Sequence, residues 1–114
     1  DEPPPFAKGS GREELGDALA GPANPLTPRV IANRLWLWRF GEGIVKTPSN
    51  FGQLGERPSN PALLDYLAWR LVHEHRWSLK ALHREILLSD AYQAKDFAPR
   101  RLDAEALRDS ILAV

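Results

Sequence analysis

Four times along this chain a short polar residue able to cap a helix stands just before apolar residues at helical spacing: Thr27, Asn60, Ser78 and Asp103. An oxygen at such a position accepts from the unpaired N–H groups of a first turn, so each residue marks where a helix begins. Pro28 and Pro61 follow two of these caps at the first helical position, where no backbone donor is wasted. The pattern predicts one helix from Thr27 to Phe40, stopped by Gly41, and another from Asn60 that fades near His75. A further helix should run from Ser78 to near Ala91, and a last one should start at Asp103. Leu26, Trp77 and Leu102 precede caps and can staple onto Ile31, Leu82 and Leu107. Ser10 and Glu13 have capping-box spacing and predict a first helix over 11–20, weakened by Gly16 and ended by Gly21-Pro22. The chain has 31 Leu and Ala against 8 Val and Ile and 2 Thr, which leaves little material for strands. The expected fold is all-α, a compact orthogonal bundle of four to five helices.

At 114 residues the chain suffices for one core. The Pro-rich start suggests a linker over 1–10 and a single helical domain over 11–114. Leu107, Ile111 and Val114 form a stripe still running where the sequence stops, as expected of a fragment of a larger chain. Between the second and third helices, Gly41 to Asn60 holds four glycines and two prolines. Such a long connection is expected to be an ordered Ω-like loop, pinned by Ile44, Val45, Phe51 and Leu54. Fifteen basic residues balance fifteen acidic ones, so any electrostatic partner must be met by a local patch. The absence of Cys excludes disulfides and thiolate chemistry, and no apolar run approaches the ~18 residues of a membrane span.

On a helical wheel, Ile31, Leu35 and Trp38 fall at the centre of the second helix, and Arg34 falls inside the apolar sector. A guanidinium there would need a carboxylate, from Asp65, Glu105 or Asp109, with Asn33 as a hydrogen-bonding neighbour. The structural reading is an ion-pair clamp between helices. The functional one is an anion cluster of Asn33, Arg34, Glu105, Arg108 and Asp109, joined by Arg100 or Arg101. His73 and His75 are two apart on one helix and point in different directions, which argues against chelation of one ion. A site of His75, His83 and Asp90 is the weaker alternative to a partly buried His83 and a His75 that neutralises a helix end. Lys80 and Arg84 project from a helix-turn-helix outline, but Glu85 and Asp90 on the same exposed face make nucleic-acid binding unfavourable. Of the four Trp residues, Trp36 should be consumed with Phe40 by packing, whereas Trp69 is the better interface candidate, with Arg57 and Phe51. No nucleophile constellation or phosphate-cradling loop is visible, and neither haem nor metal ligation is expected.

The stretches NPLTPRVIANRLW (Asn24 to Trp36), FGEGIVKTPSNFGQLGERPSNPALLDYLA (Phe40 to Ala68), WSLKALHREILLSDAYQ (Trp77 to Gln93) and RRLDAEALRDSILAV (Arg100 to Val114) resemble the planctomycete-specific PSD-one domain. The likeness covers about four-fifths of the chain. It implies no catalytic residues, since that family is a domain of unknown function. It does imply a context: a module toward the C-terminus of a large, extracytoplasmic multidomain protein, downstream of cytochrome-c-like domains. Family members have a longer connection where this chain has only Ala94 to Pro99. The expected role is a non-catalytic interaction module that packs on another domain of the same parent or on a protein partner, through Trp69, Arg57 and the 41–60 loop. Polysaccharide is a further candidate partner. An enzyme handling carbohydrate or anions at Arg34, Glu105, Arg108 and Asp109 is the alternative.

Overall fold

The computed structural model describes residues 10–21, 23–94 and 101–113. Six α-helices follow one another: α1 (Arg12–Ala20), α2 (Leu26–Phe40), α3 (Pro61–Trp69), α4 (Leu79–Leu88), α5 (Asp90–Gln93) and α6 (Ala104–Leu112). A π-helical turn, Arg70–Glu74, continues α3, and no strand occurs among the described residues. Most of the Pro-rich start, Pro22, the Lys95–Arg100 connection and Val114 lie outside the described residues, and with them the expectations placed there.

Three caps act as the sequence predicts. Asn60 Oδ1 accepts from Leu63 N at 3.0 Å, Ser78 Oγ from Ala81 N at 3.3 Å, and Asp103 Oδ1 from Ala106 N at 2.7 Å. Two others differ. Thr27 lies inside α2, and its hydroxyl instead donates to Leu19 O at 2.7 Å, closing the end of α1. Asn24 joins it there by donating to Ala18 O and Leu19 O, while its Oδ1 accepts from Leu26 N. Ser10 caps nothing, because Gly11 takes the left-handed N-cap position without a side-chain bond. The helix expected to reach Ala91 breaks at Ser89, whose hydroxyl donates to Ile86 O at 2.6 Å and accepts from Tyr92 N, so α5 starts afresh.

The core comes from α2, the loop after it, α3, the π turn and α4: Ala32, Leu35, Ile44, Val45, Leu64, Leu67, Leu71, Leu82 and Ile86. Helices α1 and α6 contribute no buried residue. Trp36 stacks on Phe40 at 4.0 Å, and Phe40 meets Tyr92 edge-on at 5.7 Å, so packing does consume these rings.

The rotation of α2 corrects the helical wheel. Ala32, Asn33 and Leu35 face inward, while Arg34 and Trp38 are exposed. Because α2 is apolar around most of its circumference, periodicity leaves its rotation open and specific contacts decide it. The decisive contact is Asn33, fully buried, whose Nδ2 donates to Val45 O at 3.1 Å and whose Oδ1 accepts from Val45 N at 2.8 Å. An amide supplies donor and acceptor at once, so one side chain satisfies both polar groups of a buried loop residue. The loop is ordered as expected, although Leu54, 89% exposed, does not pin it. Ser59 closes its far end on Ile44 O, and Thr47 and Asn50 bridge its middle to Glu56 and Leu54.

Candidate functional site

The π turn feeds into an unusual connection. His75 N reaches Arg70 O at 2.9 Å, Trp77 N reaches Leu71 O at 2.8 Å, and Ser78 N reaches His75 O at 2.8 Å. Arg76 (φ 47°) and Trp77 (φ 64°) sit consecutively in the left-handed region. That region disfavours side chains with a Cβ by roughly 1–2 kcal/mol per residue, so this segment, like the π turn before it, must be held in place by its surroundings.

A carboxylate braces the segment from below. Glu85 on α4 accepts from Tyr66 Oη at 3.0 Å, from Arg70 Nε at 3.0 and 3.1 Å, and from His75 Nε2 at 2.5 Å. Burial alone would push this carboxyl up, but the bonds from His75, Arg70 and Tyr66 outweigh it and hold it below its ordinary value. An ionised carboxylate only accepts, so Nε2 of His75 carries the proton. The same bond to Glu85 pushes the Tyr66 hydroxyl up. Three donors converge on Glu85, so the cluster braces the fold: α3, the π turn, His75 and α4 meet on one side chain.

The braced segment opens onto a groove of about 390 Å³ that runs past the end of α1 and the start of α2. Pro25, Pro28, Ala68 and Val72 line it together with Trp69, His73 and Trp77. Trp69 is 51% exposed and Trp77 37%, and the Trp69 ring lies 5.1 Å from the His73 ring, tilted by 30°. A second groove, of about 570 Å³, is walled by Val45, Phe51, Arg57, Pro58, Pro61 and Leu64. Arg29 and Asp65 border both, and their 2.6 Å ion pair forms the ridge between them. The three interface candidates therefore share one face, Phe51 and Arg57 on the loop side and Trp69 on the other.

The remaining candidates lie elsewhere. Arg34 is exposed, which removes the need for a buried counter-charge, and Asp65 pairs with Arg29 instead. Asn33 serves the loop. On α6, Glu105 is exposed and Arg108 pairs with its neighbour Asp109 at 2.9 Å, while Arg100 is outside the described residues. Arg101 is exposed. The histidines separate as expected: His73 faces the Trp69 groove, His75 meets Glu85, and His83 Nδ1 accepts from Arg39 Nε at 3.1 Å. His83 is held below its ordinary value, first by burial and then by the Arg39 charge. Glu85, read from sequence as part of an exposed face, is instead the half-buried brace. Tyr66 and Arg70, one turn apart on one helix, were the available signal for it. Among the described residues no group of three or more His, Asp or Glu side chains is arranged to hold a metal ion, and no helix is long and apolar enough to cross a membrane.

Fold and grooves together define an all-helical domain with two adjoining grooves beside the Arg29–Asp65 pair on a braced scaffold. The chain belongs to the PSD1 family, described as a protein of unknown function (DUF1553), whose model matches residues 11–97. That span takes in α1 to α5 and ends before α6. No curated protein and no solved structure matches the chain.

Proposed function

We propose that this chain is a non-catalytic interaction module of a large extracytoplasmic protein, of the planctomycete type in which such a domain lies C-terminal to cytochrome-c-like domains. The observation that carries this reading is the shared face: two grooves meet at the Arg29–Asp65 pair and present Phe51, Arg57 and Trp69. Aromatic and Arg side chains at the centre of a rigid patch are what association energies concentrate on. Another domain of the same parent rests on the loop side, against Phe51 and Arg57, with Trp69 at the far edge.

An anion-handling or carbohydrate-active enzyme at Arg34, Glu105, Arg108 and Asp109 has less support, since Arg108 is engaged by Asp109 and Arg34 lies open on α2. Nucleic-acid binding needs Lys80 and Arg84 to be joined by Arg70 or Arg76 on one face; Glu85 holds Arg70, which leaves the exposed Arg76 to complete it.

The test is an amide NMR titration of the 114-residue chain with the neighbouring domain of its parent. Shifts confined to residues 51–58 and to Trp69 are expected. No shifts, or shifts confined to α4 and α6, would overturn the reading.

A further inference from the structure

We propose that the Trp69–Trp77 groove binds a neutral oligosaccharide, a short stretch of glycan without charged groups. The proposal rests on the reading of this face as the working surface and assigns its Trp side, leaving the loop side to protein.

Three observations lead there. First, the chain holds two indoles outward at a cost. Trp69 is half exposed and propped against His73, and Trp77 is displayed by two consecutive left-handed residues that the His75–Glu85 bond and the Ser78 cap hold in place. A flat, rigid indole face suits a ligand with flat C–H faces, which a pyranose ring has.

Second, the polar rim is paired. Arg29 Nε donates to Asp65 Oδ1 at 2.6 Å, and the pair is partly exposed, at 33% and 55%. Donor and acceptor are thus fixed side by side, as recognition of vicinal hydroxyls requires, because each hydroxyl both donates and accepts.

Third, the charge is balanced. Arg29 and Asp65 cancel, and among the described residues His73 is the one other ionisable side chain lining the groove. A polyanion would find no excess of cations, and phosphate-rich ligands depend on several such contacts. A proline-rich peptide would also lie on tryptophans, but its proline nitrogens carry no hydrogen, so its backbone offers mainly carbonyl oxygens and adds no donor for Asp65 beyond Arg29 Nε. Glycan hydroxyls supply a further donor.

The experiment is a tryptophan-fluorescence and amide-NMR titration of the 114-residue chain with cellohexaose, xylohexaose and mannohexaose, with decaproline and inorganic phosphate run alongside. At least one hexasaccharide is expected to bind, with shifts at Trp69, His73 and Trp77. Trp69→Ala and Asp65→Asn should weaken it by about tenfold or more, the equivalent of one lost stacking or charged contact. Trp69→Phe, which keeps an aromatic face should the Ala variant fold poorly, should fall between. Trp38→Ala and Arg57→Ala, outside this groove, should bind as the parent chain does. No response to any hexasaccharide, or binding that Trp69→Ala and Asp65→Asn leave within about twofold, overturns the proposal. Decaproline or the neighbouring domain shifting Trp69 while the sugars do not would remove the glycan and keep the binding face. Silence from all of them would remove both.

Discussion

Replacing Asn33 by Ala should be among the most damaging single changes in the chain, although it removes one amide. The side chain is fully buried and bonds both polar backbone groups of Val45, itself 2% exposed. Truncation strands a buried N–H and a buried C=O, each at about 1–3 kcal/mol, for a total of about 2–6 kcal/mol. A domain of this size has roughly 5–15 kcal/mol in hand, so a large fraction of it would be lost. Urea denaturation at neutral pH should show a midpoint lowered by about 1–3 M, given a slope of about 2 kcal/mol/M. Amide exchange at Val45 should accelerate well beyond that of α4. Asn33→Asp adds a signature of its own. It keeps an acceptor for Val45 N but sets a carboxylate against Val45 O, so it should be destabilised at neutral pH and partly recover where the acid protonates and can donate. A cost below about 1 kcal/mol for Asn33→Ala, with Val45 exchange unchanged, would refute the reasoning.

Stability should fall as the solution is acidified, in two stages. His83 is held below its ordinary value of 6.5, so its contribution is complete above that pH and is lost as pH drops through its folded value. Glu85 is held below 4.5, so its contribution persists to lower pH and goes last. Thermal melts from pH 7.5 down should resolve both stages, and Glu85→Gln should abolish the second while lowering stability by about 1–3 kcal/mol at neutral pH. Gly55→Ala would set a Cβ against Asn50 O with no room for it and should cost about 2–4 kcal/mol by urea titration. Gly16→Ala meets nothing within 4 Å on helix α1 and should instead stabilise that helix by up to about 1 kcal/mol, read as higher helicity by circular dichroism.

Local chemistry was legible in the sequence, and tertiary choice was not. Asn60, Ser78 and Asp103 cap because their oxygens meet donors three residues ahead, a relation contained within one turn. Ile44 and Val45 announced a pinned loop by being apolar in a Gly- and Pro-rich stretch. Thr27 misled because a cap for its own helix and a lid on the previous one use the same hydroxyl, and only the α1–α2 turn decides between them. Arg34 and Trp38 misled because α2 is apolar nearly all round, and its rotation is set by Asn33 reaching a residue twelve positions away. Glu85 was hidden for the same reason: its partners come from α3, the π turn and His75, and no periodicity within α4 points to them. The candidate face was visible in part through Phe51, Arg57 and Trp69, but the Arg29–Asp65 ridge that joins them spans 36 positions. The strained Arg76–Trp77 pair had no sequence signal beyond a turn without glycine.

The central claim is that the face carrying both grooves is where this module meets its partners. Hydrogen exchange measured on the 114-residue chain alone and within its parent protein tests it most directly. Added protection in the parent is expected over residues 51–58 and at Trp69, on either side of the Arg29–Asp65 pair. Unchanged exchange there, with new protection confined to α1 and α6, would contradict the account.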